Sequence, residues 1–240
     1  MPANALLNTL SATPLFAVGL TLAAFLLGNL LFKRLNKPTW LPAILIAALL
    51  LAATLAVIGL PYDTYRQDAS WLSILLGPAT VALGMPLYQQ LPHIRALWQP
   101  LTICLPIAAT LAACYALLIA WVLGSSPLIL ASIAAKSVTA PIAIGITEQI
   151  GGSVALLLGA LLITGVATAA FVGLAARFLK IEDERIIGFA LGLNGHAIGT
   201  VRAFEISPTA GAFASLGMSL TGIFTALILP LAWRLIGVGG

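Results

Sequence analysis

Apolar residues run through this chain in long unbroken stretches. They do not alternate at period two, which excludes a transmembrane β-barrel. No Asp, Glu, Lys or Arg occurs in 1–32, 38–62, 69–94, 96–135, 149–176 or 206–233. A helix needs about 20 apolar residues to cross roughly 30 Å of hydrocarbon, and the pattern divides into eight hydrophobic segments, at about 11–32, 39–60, 70–88, 98–122, 126–148, 152–178, 186–204 and 209–235. Pro, Gly and charged residues mark the joints, where they start or stop helices. Trp40, Trp71, Trp98, Trp121 and Trp233 lie near segment ends, as an interfacial aromatic belt requires. The predicted fold is all-α: a polytopic helical membrane protein of about seven to eight hydrophobic segments forming a single transmembrane domain over 1–240. The first ten residues, MPANALLNTL, carry no basic signal region, so the first helix is expected to be retained.

Three segments carry helix-breaking residues. In 126–148, Pro141 removes a helix hydrogen bond, Gly145 permits departure from helical dihedrals, and Ser137 and Thr139 can satisfy freed backbone groups. In 191–205, Gly195 and Gly199 interleave with Asn194, His196, Thr200 and Arg202. A weaker candidate is 75–88, LLGPATVALGMPLY. Interrupted helices with polar groups at mid-depth are how many secondary transporters build their sites. Two broken or re-entrant helices are therefore expected to cross near the membrane centre. Gly and Pro are also common in ordinary membrane helices, so close packing is the alternative.

Composition adds the class. The chain is 61% hydrophobic and 8% charged, with mean hydropathy +1.10, against about 45–50% and about 25% in a soluble domain. The net charge of +4 is scattered over turns, with no basic patch for nucleic acid. Cys104 and Cys114 read as small buried hydrophobes. Positive charge tests the orientation. If all eight segments span, the basic residues at turns divide four against five; if 126–148 is re-entrant, eight share one side with only Arg66 opposite. Making 70–88 re-entrant gives seven against two, nearly the same bias. The expectation is an N-terminus outside and a C-terminus in the cytoplasm.

The ionisable residues inside apolar segments carry the candidate chemistry. Lys136 has 40 uncharged residues before it and 11 after it. It can snorkel to an interface, pair with Glu148 or Glu205, or face an aqueous cavity and attract an anion. Arg202 can bind a carboxylate with two parallel hydrogen bonds or pair with Glu205 three residues on. His196 can donate to a substrate oxygen, titrate in proton coupling, or simply pack. Asn194, Ser137, Thr139 and Thr200 offer hydrogen bonds to a small ligand or to their own backbone. The substrate-binding candidates are thus Lys136, Ser137, Thr139, Asn194, His196, Thr200 and Arg202. The helix-break candidates are Pro141, Gly145, Gly195 and Gly199. No phosphate loop, HExxH, paired metal cluster or GxSxG occurs, so no enzyme, cofactor or metal site is expected.

In these residues the sequence resembles the LrgB/CidB family of bacterial inner-membrane proteins. The stretches that carry the resemblance are LLGPATVALGMPLY (75–88), KSVTAPIAIGITEQIGG (136–152), NGHAIGTVRAFE (194–205) and GAFASLGMSLTGI (211–223). The resemblance implies one of two functions. One is transport of small monocarboxylates such as pyruvate, glycolate, lactate or glycerate by alternating access. The other is holin- or antiholin-like modulation of murein hydrolase export and autolysis, with a small LrgA/CidA-type membrane partner. It places Lys136, Ser137, Thr139, His196 and Arg202 in a membrane-buried site. The expected partners are a small organic anion, a coupling proton or sodium ion, the lipid bilayer, a second copy in a homodimer, and that membrane partner.

Overall fold

The computed structural model describes residues 14–36, 38, 41–75 and 91–236, with 78, 81, 82, 85 and 88 between them. Most of the weaker break candidate, 75–88, lies outside the described residues. The chain forms two compact units, Met1–Ala82 and Leu83–Gly240.

In the first unit, α1 (Pro14–Arg34) and α2 (Ala43–Ile58) pack together. Gly28 makes this possible, because a Cβ there would lie 2.8 Å from the Ala47 backbone nitrogen. Gly59, at φ 68°, ends α2 in the left-handed conformation that glycine adopts readily. The chain then bends by 117° into α3 (Tyr62–Asp68) and reaches α4 (Trp71–Ile74). Tyr65 is buried with Ala17 and Leu55. The Thr21 hydroxyl donates to the Ala17 carbonyl at 2.7 Å, so the Tyr65 phenol donates to Thr21 Oγ1 at 2.8 Å.

The second unit begins with α5 (Leu91–Ala96) and α6 (Trp98–Val122). The helices α7 (Pro127–Ile133) and α8 (Ala140–Gln149) follow, then α9 (Val154–Phe178), α10 (Glu184–Ile206) and α11 (Pro208–Ile236). Among the described residues, four helices are long and apolar enough to cross a membrane: α1, α6, α9 and α11, or five if α2 and α3 count as one bent span. This corrects the expectation of seven to eight segments. Hydropathy counts apolar residues but not the direction in which the chain leaves a break, and segments 126–148 and 186–204 both double back.

The doubling of α10 is read from its contacts. His196 sits at φ 43° and ψ −135°, so the helix is broken there into two arms. Gly199 on the returning arm lies so close to the outgoing arm that a Cβ would strike the Leu191 carbonyl. The two ends meet where the Ser207 hydroxyl donates to the Glu184 carboxylate at 2.6 Å. The next helix, α11, then runs parallel to the outgoing arm, Gly188 against Ala210 and Gly192 against Ala214, again with no room for a Cβ. Asp183 caps the outgoing arm by accepting from the Arg185 backbone N–H at 2.9 Å, and its carboxylate is paired with the Arg185 guanidinium.

The hairpin of α7 and α8 is the counterpart from the other end of the unit. Helix α7 has seven residues and is followed by the non-helical stretch 134–139, after which α8 runs for ten. The Ser153 N–H donates to Ser132 Oγ at 2.7 Å, and Gly152 presses on the Ala131–Ser132 backbone. The chain thus leaves α7 at Ser132 and returns beside it to start α9. Pro141 does not interrupt a helix here; it occupies the first turn of α8, where its missing N–H leaves no helix bond unmade. Gly145 lies within α8, and it is not among the glycines of positive φ.

Two predictions follow from this packing. Gly192→Ala must displace the Ala214 backbone, and overpacking of this kind costs about 1–3 kcal/mol; a lower thermal midpoint in detergent checks it. Gly173→Ala, with nothing within 4 Å, is the control expected to leave the midpoint unchanged or raise it. The hydrogen bonds from Arg185 hold the Asp183 carboxyl below its ordinary value of 3.8. Its contribution to stability is therefore complete above that value and is lost as pH falls through the lower, folded-state one. Asp183→Ala should cost about 1 kcal/mol at neutral pH, a difference that disappears in denaturation curves taken in strong acid.

Candidate functional site

A backbone that unwinds in hydrocarbon must be enclosed by protein, because each unpaired polar group there costs several kcal/mol. Both breaks meet this requirement by packing on the N-terminal half of α9. At the first tip, Ala134, Ala135 and Val138 share a buried cluster with Leu157 and Leu161 of α9. At the second, His196 is 4% exposed and its Nε2 lies 2.9 Å from the Leu161 carbonyl. A carbonyl only accepts, so Nε2 carries the proton. Gly165, one turn further on, leaves the space that the His196 ring and Ile198 occupy. On the opposite wall, Gly222 of α11 faces Ile142 and Val138, while Met218 lies 3.7 Å from Thr200. The two hairpins therefore reach the same level of the unit from opposite ends.

The first tip holds Lys136, Ser137 and Thr139, all buried. The Lys136 ammonium donates to Tyr115 Oη of α6 at 2.8 Å and to Ser137 Oγ at 3.2 Å, and it lies 4.5 Å from the centre of the Tyr115 ring. Both partners are neutral. Among the described residues the ion pairs are Arg185–Asp183 and Arg202–Glu205, so Lys136 is paired with neither Glu148 nor Glu205. Thr139 occupies the cap position of α8, yet its side chain makes no capping bond.

The second tip holds Asn194, His196 and Thr200. Asn194 is half-buried, its amide 3.5 Å from the Ala190 carbonyl. Thr200 donates to the His196 carbonyl at 2.9 Å and so ties the returning arm to the break. Gly195 packs on Thr168. Arg202 stands apart from both tips, near the outer end of the returning arm, where it binds Glu205 at 2.7 Å and stays partly exposed. The structure thus brings Lys136, Ser137 and Thr139 to one tip and His196, Thr200 and Asn194 to the other, with Leu161 between them. It does not bring Arg202 to either.

Tyr115 is the functional candidate that the sequence reading missed. Its signal was present: a phenol in the middle of an apolar segment needs a partner, and Lys136 was the unpaired group. Both cysteines are exposed rather than buried. They lie on α6, whose outer face is turned away from the unit's core. Among the described residues no group of three or more His, Cys, Asp or Glu could hold a metal ion.

Helix α7 ends and α8 begins at the first tip, and the outgoing arm of α10 ends and its returning arm begins at the second. Each tip thus receives one positive and one negative helix end, which largely offset each other. The full charge at this level is that of the Lys136 ammonium.

The model of the LrgB-like family matches residues 21–235. A Haemophilus influenzae protein, named only as an uncharacterized protein, is 34% identical over 217 residues, 90% of this chain and 94% of its own. The "Antiholin-like protein LrgB" of Bacillus cereus is 27% identical over 226 residues, 94% of this chain and 98% of its own. The protein of that name in Bacillus anthracis is similar to the same extent. No solved structure matches the chain. With its family model covering all but the ends, and its helices long and apolar enough to cross a bilayer, this chain belongs to the LrgB-like family of multi-pass membrane proteins.

Proposed function

We propose that the protein is a secondary transporter of small monocarboxylates, of the size of pyruvate, glycolate, lactate or glycerate, in the bacterial cytoplasmic membrane. The observation that carries this reading is the buried Lys136 ammonium, held by two neutral hydroxyls at the tip of a broken hairpin. A membrane-embedded cation without a counter-ion is expensive, and a carboxylate supplies the missing charge. The opposed hairpins are the arrangement in which alternating access works by rocking one element against another around a central site. Ser137 and Thr139 are the additional donors. His196 is the group through which a proton could be coupled. Arg202 serves the returning arm of α10 rather than the ligand.

Charge also orients the second unit. Arg95, Arg177, Lys180 and Arg185 lie at the end where both arms of α10 meet, and Arg234 lies at the other. Under the positive-inside rule the α10 hairpin enters from the cytoplasm and the α7–α8 hairpin from outside. The C-terminal end of α11 is then outside, the reverse of the sequence-based expectation, because the second re-entrant hairpin changes the parity of crossings.

The relatives' name favours a second reading. On names alone, an antiholin-like role, exercised with an LrgA/CidA-type membrane partner or as a homodimer, is the better supported; the buried cation and paired hairpins are what favour transport. Uptake of labelled pyruvate, glycolate and lactate into proteoliposomes separates the two. Transport is expected to be saturable, and Lys136→Ala to reduce uptake efficiency about 30-fold or more, equivalent to about 2 kcal/mol for loss of a buried charge pair. Arg202→Ala is expected to change it little, since a partly exposed ion pair contributes about 0–1 kcal/mol. Undiminished uptake in Lys136→Ala overturns the anion site. Absence of saturable uptake, with release of larger solutes, overturns the carrier reading and favours a holin-like one.

A further inference from the structure

Resting on the carrier reading above, we propose that Thr221 of α11 is a further binding residue of the Lys136 site, its hydroxyl donating to the carboxylate of the transported acid between the two hairpin tips. Among the described residues, three buried polar side-chain atoms have no hydrogen-bond partner: Thr147 Oγ1, Thr221 Oγ1 and Trp233 Nε1. Thr147 lies beside Gly152, where the α7–α8 hairpin closes, and Trp233 lies near the end of α11. Of the three, Thr221 is the one at the level of the tips. A hydroxyl on a helix can rest on the carbonyl four residues back, and the buried Ser132, Thr200 and Ser215 do so at 2.6, 2.9 and 2.9 Å. Thr221, only 1% exposed, does not. A buried hydroxyl without a partner costs stability, and a ligand that pairs with it removes that cost.

The register of α11 places this hydroxyl. Ala210, Ala214, Gly217 and Thr221 recur at helical spacing and form one stripe. The first three pack on the outgoing arm of α10: Ala210 on Gly188, Ala214 on Gly192, and Gly217 on Phe189 and Leu193. That arm ends at the His196 break, so at Thr221 the stripe has run past it. The adjacent positions of α11 mark the two sides of the junction. Met218 meets Thr200 of the returning arm at 3.7 Å, and a Cβ on Gly222 would lie 2.8 Å from Ile142 and 3.8 Å from Val138, two residues from Lys136. Thr221 therefore sits where one hairpin stops and the other begins. The Lys136 ammonium has three N–H donors, of which Tyr115 and Ser137 take two. A carboxylate has two oxygens, so one accepts the remaining N–H and the other the Thr221 O–H, with no existing bond broken. Enclosed as Thr221 is here, a ligand reaches it when a hairpin moves, which alternating access supplies.

The test is Thr221→Val, which keeps the shape of the side chain and removes the hydroxyl. With whichever of labelled pyruvate, glycolate or lactate the wild type takes up in proteoliposomes, KM is expected to rise about tenfold, as loss of a hydrogen bond to a charged group predicts, with the maximal rate little changed. The thermal midpoint in detergent is expected to hold or rise, because an unpaired buried hydroxyl has gone, whereas the increase in midpoint produced by the acid itself is expected to shrink. Thr221→Ser, which keeps a hydroxyl, is expected to retain the wild-type KM. Should the valine variant fail to fold, Thr221→Ala set against Thr221→Ser makes the same comparison. An unchanged KM without the hydroxyl, or a serine variant as impaired as the valine or alanine one, overturns the role of Thr221 while leaving a Lys136-dependent carrier standing. A wild-type protein with no saturable uptake, or one indifferent to Lys136→Ala, overturns the carrier reading and the role of Thr221 with it.

Discussion

A backbone that reverses inside hydrocarbon can exist only where protein encloses it, and the second unit is organised around meeting that constraint twice. Helix α9 supplies the enclosure for both reversals. Its Leu157 and Leu161 side chains pack on the 134–139 tip, and its Leu161 carbonyl accepts a hydrogen bond from His196 Nε2. One helix turn thus serves two breaks arriving from opposite ends. The same constraint explains the glycines. A hairpin with two helical arms beside a third helix fits this space only if the backbones nearly touch, which Gly188, Gly192 and Gly199 allow.

Enclosure that satisfies a backbone also removes water from any charge placed there. Lys136 is therefore held in the setting where an ammonium interacts most strongly with whatever approaches it. Its neutral partners matter for this reason. A salt bridge to Glu148 would have cancelled the charge, as Glu205 does for Arg202. Hydroxyl partners steady the ammonium without neutralising it, which leaves its charge available to a ligand.

The residues at the breaks were legible in the sequence, and the path of the chain through them was not. Lys136 stands out because a charge in a run of 40 apolar and polar-neutral residues is a one-dimensional signal; so do Ser137, Thr139 and His196 beside their prolines and glycines. The direction in which a chain leaves a break depends on contacts between residues far apart in sequence, such as Ser207 with Glu184 or Ser153 with Ser132. The 23 residues of α10 are as long as a full crossing, so hydropathy alone makes it a span. The turn itself falls at His196 rather than at neighbouring Gly195. Positive φ is disfavoured for a side chain, but here the ring's bond to Leu161 and the Thr200 bond to the His196 carbonyl hold that conformation. Tyr115 was missed because it lies on an intact helix with no local irregularity. Its importance comes from a partner 21 residues away.

The inverted arrangement bears on the choice between a carrier and a lateral assembly protein. Association of helices within a membrane requires small residues on an outward face and close packing, and it gains nothing from two hairpins that end at mid-depth. The small residues of α10 are instead consumed internally, Gly188 and Gly192 against Ala210 and Ala214. What the hairpins do provide is one buried ammonium, Lys136, held by the hydroxyls of Tyr115 and Ser137. A membrane-embedded charge without a counter-ion costs stability; lateral association gives no reason to keep it, whereas the proposed carrier does.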